Sequence, residues 1–263
     1  MPKNRYEEII EAIFSKRYRK GSNEVQFTRE DIVEVAQQLG IELPKNLGDV
    51  VYSFRYRNDL PKAITASATR GREWIIRPRG RSKYSLVLVA VAKITPSKML
   101  AETKIPDATP GVIERYAFSD EQSLLAKLRY NRLVDIFTGL ACYSLQSHLR
   151  TTVPGMGQVE TDELYIGIDK RGVHYILPVQ AKGGNDQLGI VQIEQDFALC
   201  AAKFPQLIAR PLAAQFLDTE AIALFEFEKT DKGISVSSEK HYRLVPGEAL
   251  SEEELRQYRV RQM

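Results

Sequence analysis

Three polar residues whose types could do chemistry stand close together between positions 157 and 184: Asp162, Gln180 and Lys182, with Glu160 two positions before the first. The stretch is GQVETDELYIGIDKRGVHYILPVQAKGG. It reads as two β-strands joined at Asp169-Lys170-Arg171-Gly172, where Asp and Gly supply turn geometry. Side chains alternate faces along a strand. Glu160, Asp162, Leu164 and Ile166 therefore share one face of the first strand, and His174, Ile176, Gln180 and Lys182 one face of the second. Pairing through the turn sets Asp162 near Gln180 and Lys182. A carboxylate, an amide oxygen and an ammonium then meet at one end of a hairpin that is otherwise apolar. Burying such groups is costly unless they pair or bind an ion. The modest alternative is a cross-strand ion pair on a solvated face, worth little to stability. Against it, the second strand is apolar on both faces up to Pro178, which suits a central buried strand.

The pattern resembles the PD-(D/E)XK nuclease superfamily, whose restriction-endonuclease-like fold carries an Asp on one strand and (Asp or Glu)-x-Lys on the next. Asp162 matches the first position, within Glu160-Thr161-Asp162, and Lys182 the last. Gln180 stands where the family usually has Asp or Glu, a departure that some branches share. The resemblance implies a catalytic set of Asp162, Gln180, Lys182, Glu160 and Glu121. It also implies Mg²⁺, with Mn²⁺ able to substitute, held by Asp162, the Gln180 side-chain oxygen and the Ala181 carbonyl. Lys182 would orient the attacking water or stabilise the transition state, and Glu160 would stand behind the metal ligands. Glu163 points to the opposite strand face and is the weaker acid.

The elements that must position this hairpin follow from periodicity. A long helix is expected from residue 119 or 120 to about 147, with Leu125, Leu128, Ile136, Leu140 and Ser144 on one face. In the resembled fold, such a helix often brings an acid to the site. Glu121 is the choice here, with Asp120 and Glu114 as competitors and a helix-dipole role as the plain alternative. A strand over 148–153 precedes the hairpin, and a helix over 187–203 follows it. That helix carries Gln192 and Glu194; Gln192 matches a Gln that several branches place near the site, and a solvent-facing amide is its plain alternative. Strands are expected over 207–216, 221–228 and 233–237, and Ser251 with Glu254 forms a capping box that opens a C-terminal helix.

Residues 1–84 hold 17 Lys+Arg against 11 Asp+Glu, a balance of +6, and the remainder 20 against 23, a balance of −3. The basic half is therefore the one suited to a polyanion. Helices are expected over 4–19, from Thr28 to Leu39, and over 46–58. Thr28 and Asp31 form a capping-box-like start and Gly40 a stop. Strands are expected over 64–69, 73–76 and 84–91, separated by Arg70-Gly71-Arg72 and an Arg-rich loop over 77–83. This order resembles a winged helix-turn-helix domain. The third helix would enter a DNA groove and the Arg-rich loops would be wings. The resemblance implies DNA contacts from Tyr52, Ser53, Arg55, Tyr56, Arg57, Arg70, Arg72, Arg77, Arg79 and Arg81, with Trp74 among the interleaved aromatics. A three-helix packing domain with a solvated basic surface is the plain alternative.

The expected architecture is therefore α/β (α+β). A winged helix over 1–92, a Pro-punctuated linker over 93–118 and a nuclease-like mixed sheet flanked by helices over 119–263 make it up. No apolar run reaches the ~20 residues of a membrane span. The N-terminus MPKNRYEEII lacks an apolar leader, so a cytoplasmic protein is expected. Cys142 and Cys200 lie far apart in helix-like segments and read as reduced core residues, and no zinc-ligand spacing occurs. The expected function is Mg²⁺-dependent cleavage of double-stranded DNA, as by a type II restriction endonuclease. Cutting both strands at a symmetric site usually takes two active sites, so a homodimer is expected. A repair or structure-specific nuclease and a catalytically silent DNA-binding regulator remain as alternatives.

Overall fold

The computed structural model describes residues 5–56, 58–90, 92–116, 121–183, 186–218, 220–231 and 233–260. The chain divides into two units, one made of Met1–Ile94, Arg150–Val159 and Gly189–Ala198, the other of Thr95–Leu149, Glu160–Leu188 and Leu199–Met263.

The first unit opens with α1 (Arg5–Arg17), β1 (Glu24–Thr28), α2 (Arg29–Leu39) and α3 (Gly48–Tyr56). It continues through α4 (Lys62–Thr65), β2 (Glu73–Pro78), β3 (Lys83–Val89) and β4 (Lys93–Ile94). The Thr28–Asp31 capping box forms as expected: the Thr28 N–H donates to Asp31 Oδ2 at 2.7 Å and the Asp31 N–H to Thr28 Oγ1 at 3.4 Å. Gly40, at φ +66°, ends the helix in the left-handed region that favours glycine. The strands form an antiparallel sheet in the order β1-β3-β2. Ile9, Ile10, Ile13, Ile32, Val50, Phe54, Trp74, Ile76 and Leu86 share one core. The strand expected over 64–69 does not form. Pro61, read from sequence as a stop, instead opens a helical turn, because its carbonyl accepts from the N–H groups of both Ile64 and Thr65. Ile64 is fully buried there.

The second unit is built on a mixed sheet. In chain order its elements are β5 (Glu102–Pro106), α5 (Gly111–Tyr116), α6 (Glu121–Tyr130), α7 (Leu133–Thr138), β6 (Ala141–Val153), β7 (Gly157–Ile168) and β8 (His174–Lys182). Then come β9 (Leu188–Gly189), α8 (Ile190–Lys203), β10 (Ile208–Ala209), β11 (Leu212–Phe216), β12 (Ala221–Thr230), β13 (Gly233–Val245) and α9 (Glu252–Val260); of these elements, Arg150–Val159 in β6 and β7 and Gly189–Ala198 in β9 and α8 belong to the first unit. Eight strands join in the order β5-β13-β12-β11-β8-β7-β6, with the short β10 also on β8. β7 and β8 are antiparallel, while β8 and β11 are parallel. Leu124, Leu125 and Leu128 of α6 and Leu133 and Val134 of α7 pack with Leu177, Val179 and Ala181 of β8. Leu164 and Ile176, on the opposite strand faces, pack with Cys200 of α8. The expected class, a mixed sheet flanked by helices, holds.

Two expectations need correction. The long helix over 119–147 is two short helices and a strand. Gly139, at φ +70°, closes α7 with its N–H on the Asp135 carbonyl at 2.9 Å, and the chain then runs extended as β6. Ile136, placed on the inner face by the helical stripe, is exposed. Second, the segment read as a linker contributes β5, which pairs in parallel with β13 from His241↔Glu102 to Val245↔Pro106. Thr103 and Ile105 are β-branched residues that suit a strand, and the prolines around them masked that signal. The C-terminal capping box forms, with the Glu254 N–H on Ser251 Oγ at 3.2 Å. Both cysteines are buried and outside any disulfide, although Cys142 lies on a strand. Among the described residues no helix is long and apolar enough to cross a membrane.

Candidate active site

The β7–β8 register runs from Ile168↔His174 to Glu163↔Val179. Side chains continue it toward the open end. The Ala181 N–H donates to Asp162 Oδ2 at 2.8 Å, and Gln180 Nε2 donates to the Glu160 carbonyl at 3.2 Å. Asp162 therefore lies against the 180–182 end of β8, near enough to Lys182 to feel its charge. Gln180 is 1% exposed, so its anchored nitrogen fixes the orientation of the whole amide. Lys182 reaches away from the hairpin to α6, where its Nζ lies 2.7 Å from Glu121 Oε1. Glu121, the acid chosen from sequence, thus joins the group. Its competitor Glu114 lies exposed on α5, and Asp120 falls outside the described residues.

Burial is the main force on Asp162 and raises its carboxyl above the usual range; the Glu121 charge adds to the rise. The Ala181 N–H and the charges of Lys182 and His148 oppose it without cancelling it. Burial thus disfavours the charged form of this carboxyl.

The other expected members divide. Glu160 brings its backbone carbonyl, while its side chain is exposed. Glu163 faces the opposite side, fully buried, where Arg129 Nε lies 3.0 Å from its Oε1 and Ser144 Oγ donates to the same oxygen at 2.6 Å. Gln192 accepts from the Gly189 N–H at 3.3 Å in the first turn of its own helix. Two residues missed from sequence belong near the group. His148 and Gln122 approach through their Nε2 atoms at 2.7 Å. Gln122 adjoins Glu121, and His148 sits in β6 at φ +50°, a left-handed conformation uncommon outside glycine. From sequence His148 opened a strand and Gln122 followed Glu121 in a helix, with nothing local to bring the two together; the one available signal was a histidine shortly before the hairpin.

In the first unit, Tyr52, Arg70, Arg72 and Arg81 are exposed, as a DNA-facing role requires. Ser53 accepts from Asn58 Nδ2 at 2.6 Å, and Arg55 is half-buried. The Tyr56 side chain and Arg57 lie outside the described residues. Arg77 is held by Glu194 of α8, its Nε donating to Oε2 at 2.7 Å, and Arg79 Nη2 by Glu24 Oε1 at 2.8 Å. Both expected phosphate contacts are thus already paired. Trp74 is a correction: it is 4% exposed, donates to Ser67 Oγ at 3.0 Å and packs against Phe14 and Tyr18, so it belongs to the core.

The donor chemistry can be tested against a divalent cation. Mg²⁺ takes oxygen ligands and keeps several waters. Asp162, the Gln180 amide and the Ala181 carbonyl supply such oxygens, and a bound cation would favour the charged form of the Asp162 carboxyl that burial disfavours. The set fits a hard cation in kind. It is thin in number: among the described residues no group of three His, Cys, Asp or Glu side chains could hold a metal. Waters and phosphate oxygens must complete the shell. No family model matches the chain, and neither does any curated protein or solved structure.

Proposed function

We propose that the protein is a Mg²⁺-dependent endonuclease of double-stranded DNA, of the sequence-specific type II restriction class. One observation carries the reading. Asp162, Gln180, Lys182 and Glu121, drawn from two strands and a helix, converge at the end of a central hairpin whose other side chains are mostly apolar and buried.

Asp162, the Gln180 side-chain oxygen and the Ala181 carbonyl would hold the ion. When bound, it lowers the pKa of a water ligand and offsets charge on the scissile phosphate. The Ala181 N–H fixes the rotation of the Asp162 carboxylate. Lys182 carries a compact charge on a largely buried stem and donates to the phosphate oxygens as negative charge builds. Glu121 holds the ammonium in place before substrate arrives. The first unit would supply DNA binding: α1–α3 and the β2–β3 hairpin follow the order of a winged helix, with Arg81 at the wing tip and Arg70 and Arg72 before β2. Double-strand cutting would take two copies.

The test is incubation of a large duplex with the protein and Mg²⁺, beside Lys182→Ala and a chelator control. Discrete fragments are expected, with the rate falling ~10²-fold or more in the variant, the usual loss for removing one transition-state donor. A smear with the same dependence would favour a repair or structure-directed nuclease. No cutting with duplex binding intact would support a second reading, a catalytically silent DNA-binding regulator. That reading draws on the amide at position 180 and on the missing three-ligand group among the described residues.

A further inference from the structure

The strand β6 ends the sheet on one side, and among the described residues only β7 pairs with it. It is 13 residues long, and its side chains from Tyr143 to His148 are all exposed, on both faces. Tyr143 is 60% and Leu145 53% exposed. Natural sheet edges of this length are usually blunted by charge, proline or a cover, because unpaired N–H and C=O groups recruit another strand. Ala141 to Leu149 contains no Asp, Glu, Lys, Arg or Pro.

The usable part of the edge is bounded at both ends. At one end the Cys142 N–H is taken by Asp135 Oδ1 at 3.0 Å. At the other, His148 turns into the left-handed region and breaks the extended run. Between them lie Tyr143-Ser144-Leu145-Gln146-Ser147, five residues with Leu145 at the centre.

We infer that this edge is the contact between two copies of the chain, paired antiparallel about a two-fold axis at Leu145. An isologous contact sets residue i against residue j and j against i, and only the residue on the axis against its own copy. Here that places Leu145 on Leu145 and Tyr143 opposite Ser147. No charge sits on the axis, where a two-fold would set a lysine or glutamate against its own copy. Tyr143 and Leu145 share a strand face, so the two copies bring four apolar side chains together across the axis. A foreign strand would also find backbone partners here, but the central leucine and the uncharged window suit self-pairing. The inference gives a surface to the dimer expected of the proposed nuclease. It is read by mass rather than cleavage, so the two ideas fail separately.

The experiment is sedimentation velocity of the full chain from about 1 to about 200 µM, a range that brackets a weak short-ladder contact. Wild type is compared with Leu145→Lys and, under oxidising conditions, Leu145→Cys. Wild type should pass from monomer to dimer. Leu145→Lys should raise the midpoint at least ~10-fold, the cost of setting a charge against its own copy on the axis. Leu145→Cys should become a disulfide-linked dimer while wild type, with both cysteines buried, does not. Position 145 is exposed, so circular dichroism should match among the three. A wild type that stays monomeric, including one whose edge is protected only by another polypeptide, overturns the inference. So does a dimer whose midpoint ignores the lysine, or one that position 145 cannot cross-link.

Discussion

Gln180→Glu restores the carboxylate that the resembled motif carries, and the surroundings of Gln180 let its cost be worked out. Without metal, the change removes the N–H donor to the Glu160 carbonyl and sets a second carboxyl, 1% exposed, beside Asp162. Losing that hydrogen bond costs about 0.5–1.5 kcal/mol. Two neighbouring buried carboxylates cannot both ionise freely, so one must stay protonated, at further cost. A loss of about 2–4 kcal/mol follows, or roughly 5–10 °C in a chain of this size. With Mg²⁺ the sign reverses, since the second carboxylate becomes a ligand. Tightening the ion tenfold adds about 1.4 kcal/mol to the stabilisation at a fixed saturating concentration. Thermal melts in chelator and across a Mg²⁺ titration give both numbers. The variant should melt lower in chelator, and Mg²⁺ should raise its midpoint by about 3–5 °C more than it raises wild type. Asp162→Asn should lose the Mg²⁺ response altogether. Equal Mg²⁺ gains in wild type and Gln180→Glu would refute the metal reading of this site, whatever the chelator melts show.

Other consequences can be measured separately. Arg129→Met takes the guanidinium from the fully buried Glu163 while the Ser144 hydroxyl stays; because Arg129 is itself partly exposed, the expected loss is about 2–4 kcal/mol, read from urea unfolding. Asp31 carries a carboxyl that burial would raise, yet the Thr28 N–H and Arg17 more than offset this and hold it below its ordinary value. Its contribution is therefore present above the unfolded pKa of about 3.9 and is lost as pH falls through the lower folded value. Asp31→Asn should cost about 1 kcal/mol at neutral pH, with the two stability curves converging in acid. Alanine at Arg70, Arg72 and Arg81 should each lower the salt dependence of duplex binding by about one unit of slope, whereas Arg77→Ala should act on stability, because Arg77 already holds Glu194.

The hairpin was legible because everything that defines it is local. The turn residues fix the register, which runs up to Glu163↔Val179, and the next positions, Asp162 and Gln180 to Lys182, then fall at the same end of the hairpin. The helical stripes of the first unit were legible for the same reason: Ile9, Ile10, Ile13 and Phe14 need only the helix period to find one face. Failures came where a distant partner decides. Leu140 and Ser144 satisfy a helical period, but a single left-handed glycine ends the helix, and β7 then offers β6 a ladder that periodicity cannot see. Thr103 and Ile105 become a strand only because β13 arrives from far along the chain.

Charge shows the same limit more sharply. A run of arginines over 70–83 looks like one phosphate-binding surface when read along the chain. Folding sorts it by counter-ion: Arg77 meets Glu194, Arg79 meets Glu24, and the side chains of Arg70, Arg72 and Arg81 remain exposed. The same sorting works in the other direction at Glu121. From sequence its plainest role was to favour a helix N-terminus. In the fold it is the anion that holds Lys182, 61 residues away. A charge read from sequence is thus a capacity for pairing, and the fold decides whether that capacity goes to a neighbouring side chain or to a ligand. At Asp162 the neighbouring cation is itself held by Glu121, and the carboxyl stays raised. A buried carboxyl raised by desolvation, beside a held ammonium, is the physical reason to look for an ion and a phosphate there.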